Sequence, residues 1–166
     1  MTLPTWATFP NPVNDLAARV VAGGVALLTV ITILTGAQGL ILLLVLGFAA
    51  RALSGPRFSL LGRFATTVVA PRLGMPRFVP GPPKRFAQVI GLVLTSAAAV
   101  LGLGMGQTVL ASALLVVLLL FALLESVLGF CAGCWLFGQL MRFGLISQET
   151  CEECSSVWAR YGRSTS

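Results

Sequence analysis

Four cysteines, Cys131, Cys134, Cys151 and Cys154, are all the thiols of this chain, and they form two C-x2-C pairs with sixteen residues between them. Three kinds of chemistry fit that spacing. In the first, each pair brings two sulfurs within bonding distance, so one thiolate, stabilised by a nearby cation or a helix N-terminus, serves as a redox or sulfur-handling nucleophile. In the second, the two knuckles converge on zinc, which takes four thiolates tetrahedrally and is often held by C-x2-C pairs at this separation. In the third, the cysteines are only small apolar residues, which two matched pairs argue against. The redox reading is favoured. Gly129 and Gly133 flank Cys131, so a helix could end there and restart at the thiols. An unbroken helix would instead put Cys131 at a C-terminal end, where the macrodipole disfavours a thiolate. Lys84, Arg85 and Arg142 are the cations expected nearby. Glu152 and Glu153 disfavour a thiolate between Cys151 and Cys154, so Cys131 and Cys134 are read as the reactive pair and Cys151 and Cys154 as the resolving pair.

Glu125 is the other residue with chemical potential. It is the one acidic residue inside an apolar stretch, six positions before Cys131. A charge in a bilayer costs roughly 2.5–3.5 kcal/mol on insertion scales, so it is expected to be functional or paired, with Arg51 or interfacial water as partner.

These residues sit in a chain that cannot wet a soluble surface. Of the 166 residues, 57% are hydrophobic and only 10% charged, and the mean hydropathy is +0.94. Soluble domains carry about 25% charged residues. The composition therefore places the chain in a bilayer. No Asp or Glu occurs between Asp15 and Glu125, and there is no histidine. The net charge of +6 comes from basic residues beside apolar spans, which excludes a nucleic-acid footprint. No nucleotide loop, catalytic triad or paired carboxylate site is present, so hydrolase and kinase readings fail. No secretory signal is expected in the first twelve residues.

The fold class expected is an all-α integral membrane protein of four helices in two hairpins. Residues 1–15 read as an extended arm ending in an N-cap at Asn14 or Asp15. The membrane domain covers 16–143, with spans at about 16–34, 40–53, 86–103 and 109–129. The second is short for a helix that must cross a bilayer, for which roughly 17–25 residues are needed. Arg19, near the entrance of the first span, is expected to snorkel to headgroups. In the loop between the hairpins, Phe58, Leu61, Ala65, Val68 and Val69 share a helical face, with Pro71 as its stop. This reads either as an amphipathic helix on an anionic inner leaflet or as an ordinary solvated loop. Pro76, Pro80, Pro82 and Pro83 make the rest stiff and non-helical. Residues 144–166 form a polar tail carrying the second C-x2-C.

Both outer turns lack charge, whereas every Lys and Arg falls on the other side. The positive-inside rule then puts both termini and the main loop of this multi-pass membrane protein in the cytoplasm. That compartment keeps thiols reduced. Gly102/Gly106 and Gly129/Gly133 allow close helix approach. Trp135, Phe137 and Trp158 suit an interfacial aromatic belt, and Asn11 and Asn14 are weighed as ligands to the thiol region against capping. The two hairpins echo each other weakly, as in a duplication or as any two apolar hairpins would.

Gly81-Pro82-Pro83-Lys84-Arg85-Phe86-Ala87-Gln88 and Gly129-Phe130-Cys131-Ala132-Gly133-Cys134 resemble the two signatures of a bacterial, largely actinobacterial family of small four-span membrane proteins known as a domain of unknown function. The resemblance runs from about Asn11 to Phe143. Such proteins often carry a tyrosine where this chain has Phe137, and the pair Cys151/Cys154 is not universal among them. They are similar in outline to four-helix proteins tied to thiosulfate or quinone chemistry. The resemblance thus implies thioredoxin-like or sulfurtransferase partners. The expectation is a membrane-embedded thiol protein exchanging electrons or sulfur with a cytoplasmic thioredoxin- or rhodanese-like partner. The alternative is a non-enzymatic scaffold or small transporter with a four-cysteine zinc site, so the sequence does not decide whether the chain is an enzyme.

Overall fold

The computed structural model describes residues 12–55 and 59–146. Asn11, Arg57, Phe58, Cys151, Cys154 and Trp158, and with them the second C-x2-C, lie outside the described residues. The elements run β1 (Val13–Asn14), α1 (Asp15–Thr35), α2 (Leu40–Ser54), α3 (Leu60–Phe64), α4 (Ala70–Leu73), β2 (Phe78–Val79), α5 (Gly81–Ala99), α6 (Thr108–Leu123) and α7 (Ala132–Arg142). Single π turns join α3 to α4 (Ala65–Val69) and prolong α5 (Val100–Gly104) and α6 (Leu124–Leu128).

Three of these helices, Asp15–Thr35, Gly81–Gly104 and Thr108–Leu128, are long and apolar enough to cross a membrane. The chain is thus an all-α membrane protein. α2 is apolar but has 15 residues, about 22 Å at 1.5 Å per residue against a hydrocarbon core of about 30 Å. α2 packs along α5 and α1 along α6, while α5 also touches α6 and α7. Ile41, Leu44 and Leu115 are fully buried between them. The buried Thr29 and Thr95 hydroxyls donate to carbonyls one turn back, Val25 O at 2.7 Å and Gly91 O at 2.8 Å. Such back-bonding satisfies hydroxyls that no water reaches. Glycines set the closest approaches, since Gly91 faces the Phe48 ring and Gly24 faces Leu61 with no room for a Cβ.

Several expectations need correction. Pro82 and Pro83 belong to the first turn of α5, where their missing N–H groups would be unpaired in any case. α5 therefore begins at Gly81, five residues before the span expected at about 86–103, and takes in Lys84 and Arg85. Pro71 likewise opens α4 instead of ending the helical pattern. Ala65 and Ala70 of this segment are buried and Leu61 packs against the core, whereas Leu60, Phe64 and Leu73 face outward. Arg19 does not reach outward: its Nε and Nη2 donate to Ser126 O at 3.3 Å and Val127 O at 2.8 Å.

The end of the bundle carrying the helix starts is tied by a small ribbon. Val13 pairs with Val79 and Asn14 with Phe78 in antiparallel register, and Asp15 N–H donates to Arg77 O at 2.7 Å. Asn14 is the N-cap of α1, its Oδ1 accepting from Leu16 N at 3.0 Å. The ribbon holds the first turns of α1 and α5 side by side, which positions the site.

Candidate thiol site

Helix α6 and its π turn end at Gly129, whose φ of 69° is left-handed, a backbone that glycine adopts without strain. The chain then restarts as α7 with Cys131 as its N-cap. The break is held from the side, because Arg19 satisfies carbonyls that the end of the helix leaves without partners. Of the two geometries open to Cys131, the helix start is the one realised.

Cys131 Sγ accepts from the Cys134 backbone N–H at 3.3 Å and from the Cys134 thiol, sulfur to sulfur, at 2.7 Å. Both cysteines are free and half-buried. The Cys134 thiol donating to it holds the Cys131 thiol below its ordinary range; Lys84 nearby adds to this, while burial and Glu125 oppose it. The same hydrogen bond, with burial, pushes the Cys134 thiol up. The two sulfurs are therefore differentiated. Cys131 accepts and Cys134 donates, so the two thiols of this C-x2-C pair are not equivalent.

Beneath the thiols lies an ionic cluster. Lys84 Nζ, on the first turn of α5, sits 3.0 Å from Asp15 Oδ1 and 2.7 Å from Glu125 Oε1. The Lys84 side chain is 6% exposed, with Asp15 and Glu125 at 17% and 16%. Glu125 is paired as expected, but with Lys84 in place of Arg51. It lies within a π turn, a local insertion that often marks functional positions. Arg51, only 4% exposed, donates from Nε to Gln88 Oε1 at 2.9 Å and from Nη1 to Ser59 Oγ at 3.2 Å. Its guanidinium lies 4.6 Å from the Phe48 ring centre. Arg85 Nε donates to Ala52 O at 3.0 Å at the end of α2.

The seat of α7 is fixed by Gly133, where a Cβ would fall 2.5 Å from Ala87 Cβ and 2.6 Å from its Cα. Phe137 is buried with its ring 5.6 Å from Phe86, so it anchors α7 inward and does not belong to the aromatic belt; Trp135 is exposed. Of the cations expected near the thiols, Lys84 is the one whose charge acts on Cys131. Asp15 and Gln88 had not been singled out as site residues. The signal for Asp15 was available: it and Glu125 bound the long stretch without acids. Among the described residues no three His, Cys, Asp or Glu side chains converge as a metal site, and the zinc reading rests on Cys151 and Cys154.

Residues 13–142 match a family model described as a domain of unknown function, DUF4395. The chain belongs to this family. The DUF4395 match begins at β1 and ends at the last residue of α7, so it takes in Asp15, Lys84, Glu125, Cys131 and Cys134 and leaves Cys151 and Cys154 outside. No match to the chain is found among curated proteins or among solved structures.

Proposed function

We propose that this protein is a membrane-embedded thiol exchanger that passes electrons or sulfur to and from a thioredoxin-like or rhodanese-like partner through Cys131 and Cys134. The observation that carries the reading is the Cys134 thiol donating to Cys131 Sγ at a helix start. In the electron-transfer form, the Cys131 thiolate attacks one sulfur of the partner's disulfide, forming a mixed disulfide and releasing a partner thiolate. Cys134 then loses its proton and attacks Cys131 Sγ, which closes the Cys131–Cys134 disulfide and frees the second partner thiolate. Two electrons pass to the partner; one of its thiolates takes up the proton lost by Cys134 and the other is protonated from water, and the reverse sequence restores the pair.

The bundle is read as four spans, the short α2 being sheltered by α5. The segment from α3 to α4 lies at the cytoplasmic interface of a bacterial plasma membrane, with both termini inside. This orientation is supported by charge, because Arg63, Arg72, Arg77, Lys84 and Arg85 all belong to the loop between the hairpins or to the first turn of α5. Cysteine labelling by a membrane-impermeant reagent on intact cells is expected to miss Cys131, and labelling from outside would reverse the orientation.

The test of function is thiol exchange between the purified full-length protein and thioredoxin. Cys131→Ser should abolish exchange, and an unchanged rate would sink the reading. Protein purified without oxygen is expected to carry four free thiols and no stoichiometric zinc. One zinc per chain, lost in Cys151→Ser, would favour the zinc knuckle instead.

A further inference from the structure

Cys131 adjoins a chamber that the exchange reaction with a protein partner does not use. A cavity of about 140 Å³ lies between the bundle helices and the first turn of α7, and Cys131, Glu125, Arg51, Gln88 and Phe48 are among its lining. Engineered protein cavities of about 150 Å³ bind a benzene ring, so the chamber is the size of one planar ring. The rest of its lining is apolar, including Val21, Ala22 and Leu118. Phe121 and Leu136 also line it and are 41% and 40% exposed, so the chamber reaches the outer surface of the bundle between α6 and α7. That is the lipid-facing side of a membrane helix.

We propose that this cavity binds the ring of a membrane quinone, which accepts two electrons from the Cys131–Cys134 pair. The proposal rests on the thiol reading above and names its second substrate. Arg51 has no carboxylate within ion-pair distance among the described residues, and the Gln88 oxygen already accepts from it. The guanidinium and the Gln88 amide are therefore donors suited to a quinone carbonyl. An inorganic anion would meet the Glu125 carboxylate in the same chamber, and its hydration would be lost against the apolar remainder. An isoprenoid tail leaves past Phe121 and Leu136 into lipid. The step balances: two S–H bonds break, the Cys131–Cys134 disulfide forms, and two electrons and two protons convert the quinone to its quinol. A partner dithiol then reduces the disulfide, so electrons run from the partner to the quinone pool.

The test uses the full-length protein in lipid nanodiscs, reduced and freed of reductant without oxygen. A short-chain benzoquinone and a short-chain naphthoquinone are added separately. Quinol is followed by absorbance, and the Cys131–Cys134 disulfide by peptide mass spectrometry. One quinol per disulfide is expected with at least one of the two probes, with none in Cys131→Ser. Arg51→Gln is expected to raise the quinone KM by about tenfold, the size of one charge-assisted hydrogen bond, while exchange with thioredoxin continues. Because Arg51 is buried and its variant could misfold, the wild-type protein is also photolabelled with an azidoquinone. Label on the peptides carrying Gly91 and Phe121 supports the site, and label confined to other peptides overturns it. Thioredoxin exchange without quinol formation would defeat the quinone site and leave the thiol reading standing. Failure of both reactions would remove both.

Discussion

The two ends of the bundle are built from helices of similar composition but differ in what they bury. At one end, Lys84 is held between Asp15 and Glu125, Arg19 and Arg85 cap carbonyls at the ends of the extended α6 and of α2, and a two-residue ribbon ties α1 to α5. At the other end, the turns after α1 and before α6 carry no charge, and Gly36 closes α1 by a backbone bond to Thr32 O at 3.1 Å. Leu34 and Val109, which flank these turns, are 80% and 79% exposed. The second end reverses the chain and buries a single uncharged polar side-chain atom without a partner among the described residues, Gln38 Oε1, beside Gly102. The first end gathers ionic groups that lipid would not tolerate unpaired, and it does so around a pair of thiols. In a membrane helix bundle, the place where charge is buried and mutually satisfied is where chemistry is to be sought.

The sharpest way to break this contrast is Lys84→Met. Removing the cation leaves two partly buried carboxylates without the partner they share, a loss approaching the roughly 3–5 kcal/mol of breaking a buried ionic arrangement. Thermal unfolding in detergent is expected to register it clearly. Gln107→Ala, in the far turn, should stay within about 0.5 kcal/mol, as surface changes do. Equal effects at the two ends would show that the ionic cluster does not organise the fold.

A pair of glycine substitutions gives the next largest difference. Gly133→Ala places a Cβ against the Ala87 backbone and side chain, and overpacking of that kind costs about 1–3 kcal/mol. It should also lever α7 off α5 and slow alkylation of Cys131. Gly39→Ala, at the far end, has nothing within 4 Å and a helical φ of −59°, so its unfolding temperature and thiol reactivity should match those of the wild type. If Gly133→Ala behaves like Gly39→Ala, the seating of α7 is looser than the contact with Ala87 implies.

Much of this contrast was legible in the residues. The asymmetry of charge, the glycine turns and the apolar runs separate the two ends without coordinates, and the C-x2-C with glycines on either side marks a helix break. What was not legible concerns the reach of side chains between distant elements. Pro82 and Pro83 read as loop because proline usually stops a helix, yet in the first turn its missing donor costs nothing. Taken as loop, the two prolines keep Lys84 outside α5 and hide its contact with Glu125. Arg19 reads as a snorkelling side chain because nothing in a single sequence says that α6 ends beside it, with open carbonyls. Phe137 read as an interfacial aromatic because its partner Phe86 lies 51 positions earlier in the chain.

The smallest expected effects are those on the thiol itself, and they carry a sign. Thiolate, not thiol, reacts with iodoacetamide, so the pH at which Cys131 alkylation reaches half its maximum reports its ionisation. Because the Cys134 thiol hydrogen-bonds the Cys131 sulfur, that midpoint should lie below the ordinary thiol value of about 8.5. Cys134→Ala removes the donor and should move the midpoint up. Glu125→Gln removes a negative charge that opposes the thiolate, while Lys84 keeps Asp15 as partner, so the midpoint should move down. Opposite displacements by two substitutions on the same thiol are hard to obtain from a general loosening of structure. Shifts in the same direction would mean that the ionic cluster supports the helix ends without tuning Cys131, and the contrast between the two ends would then be one of stability alone.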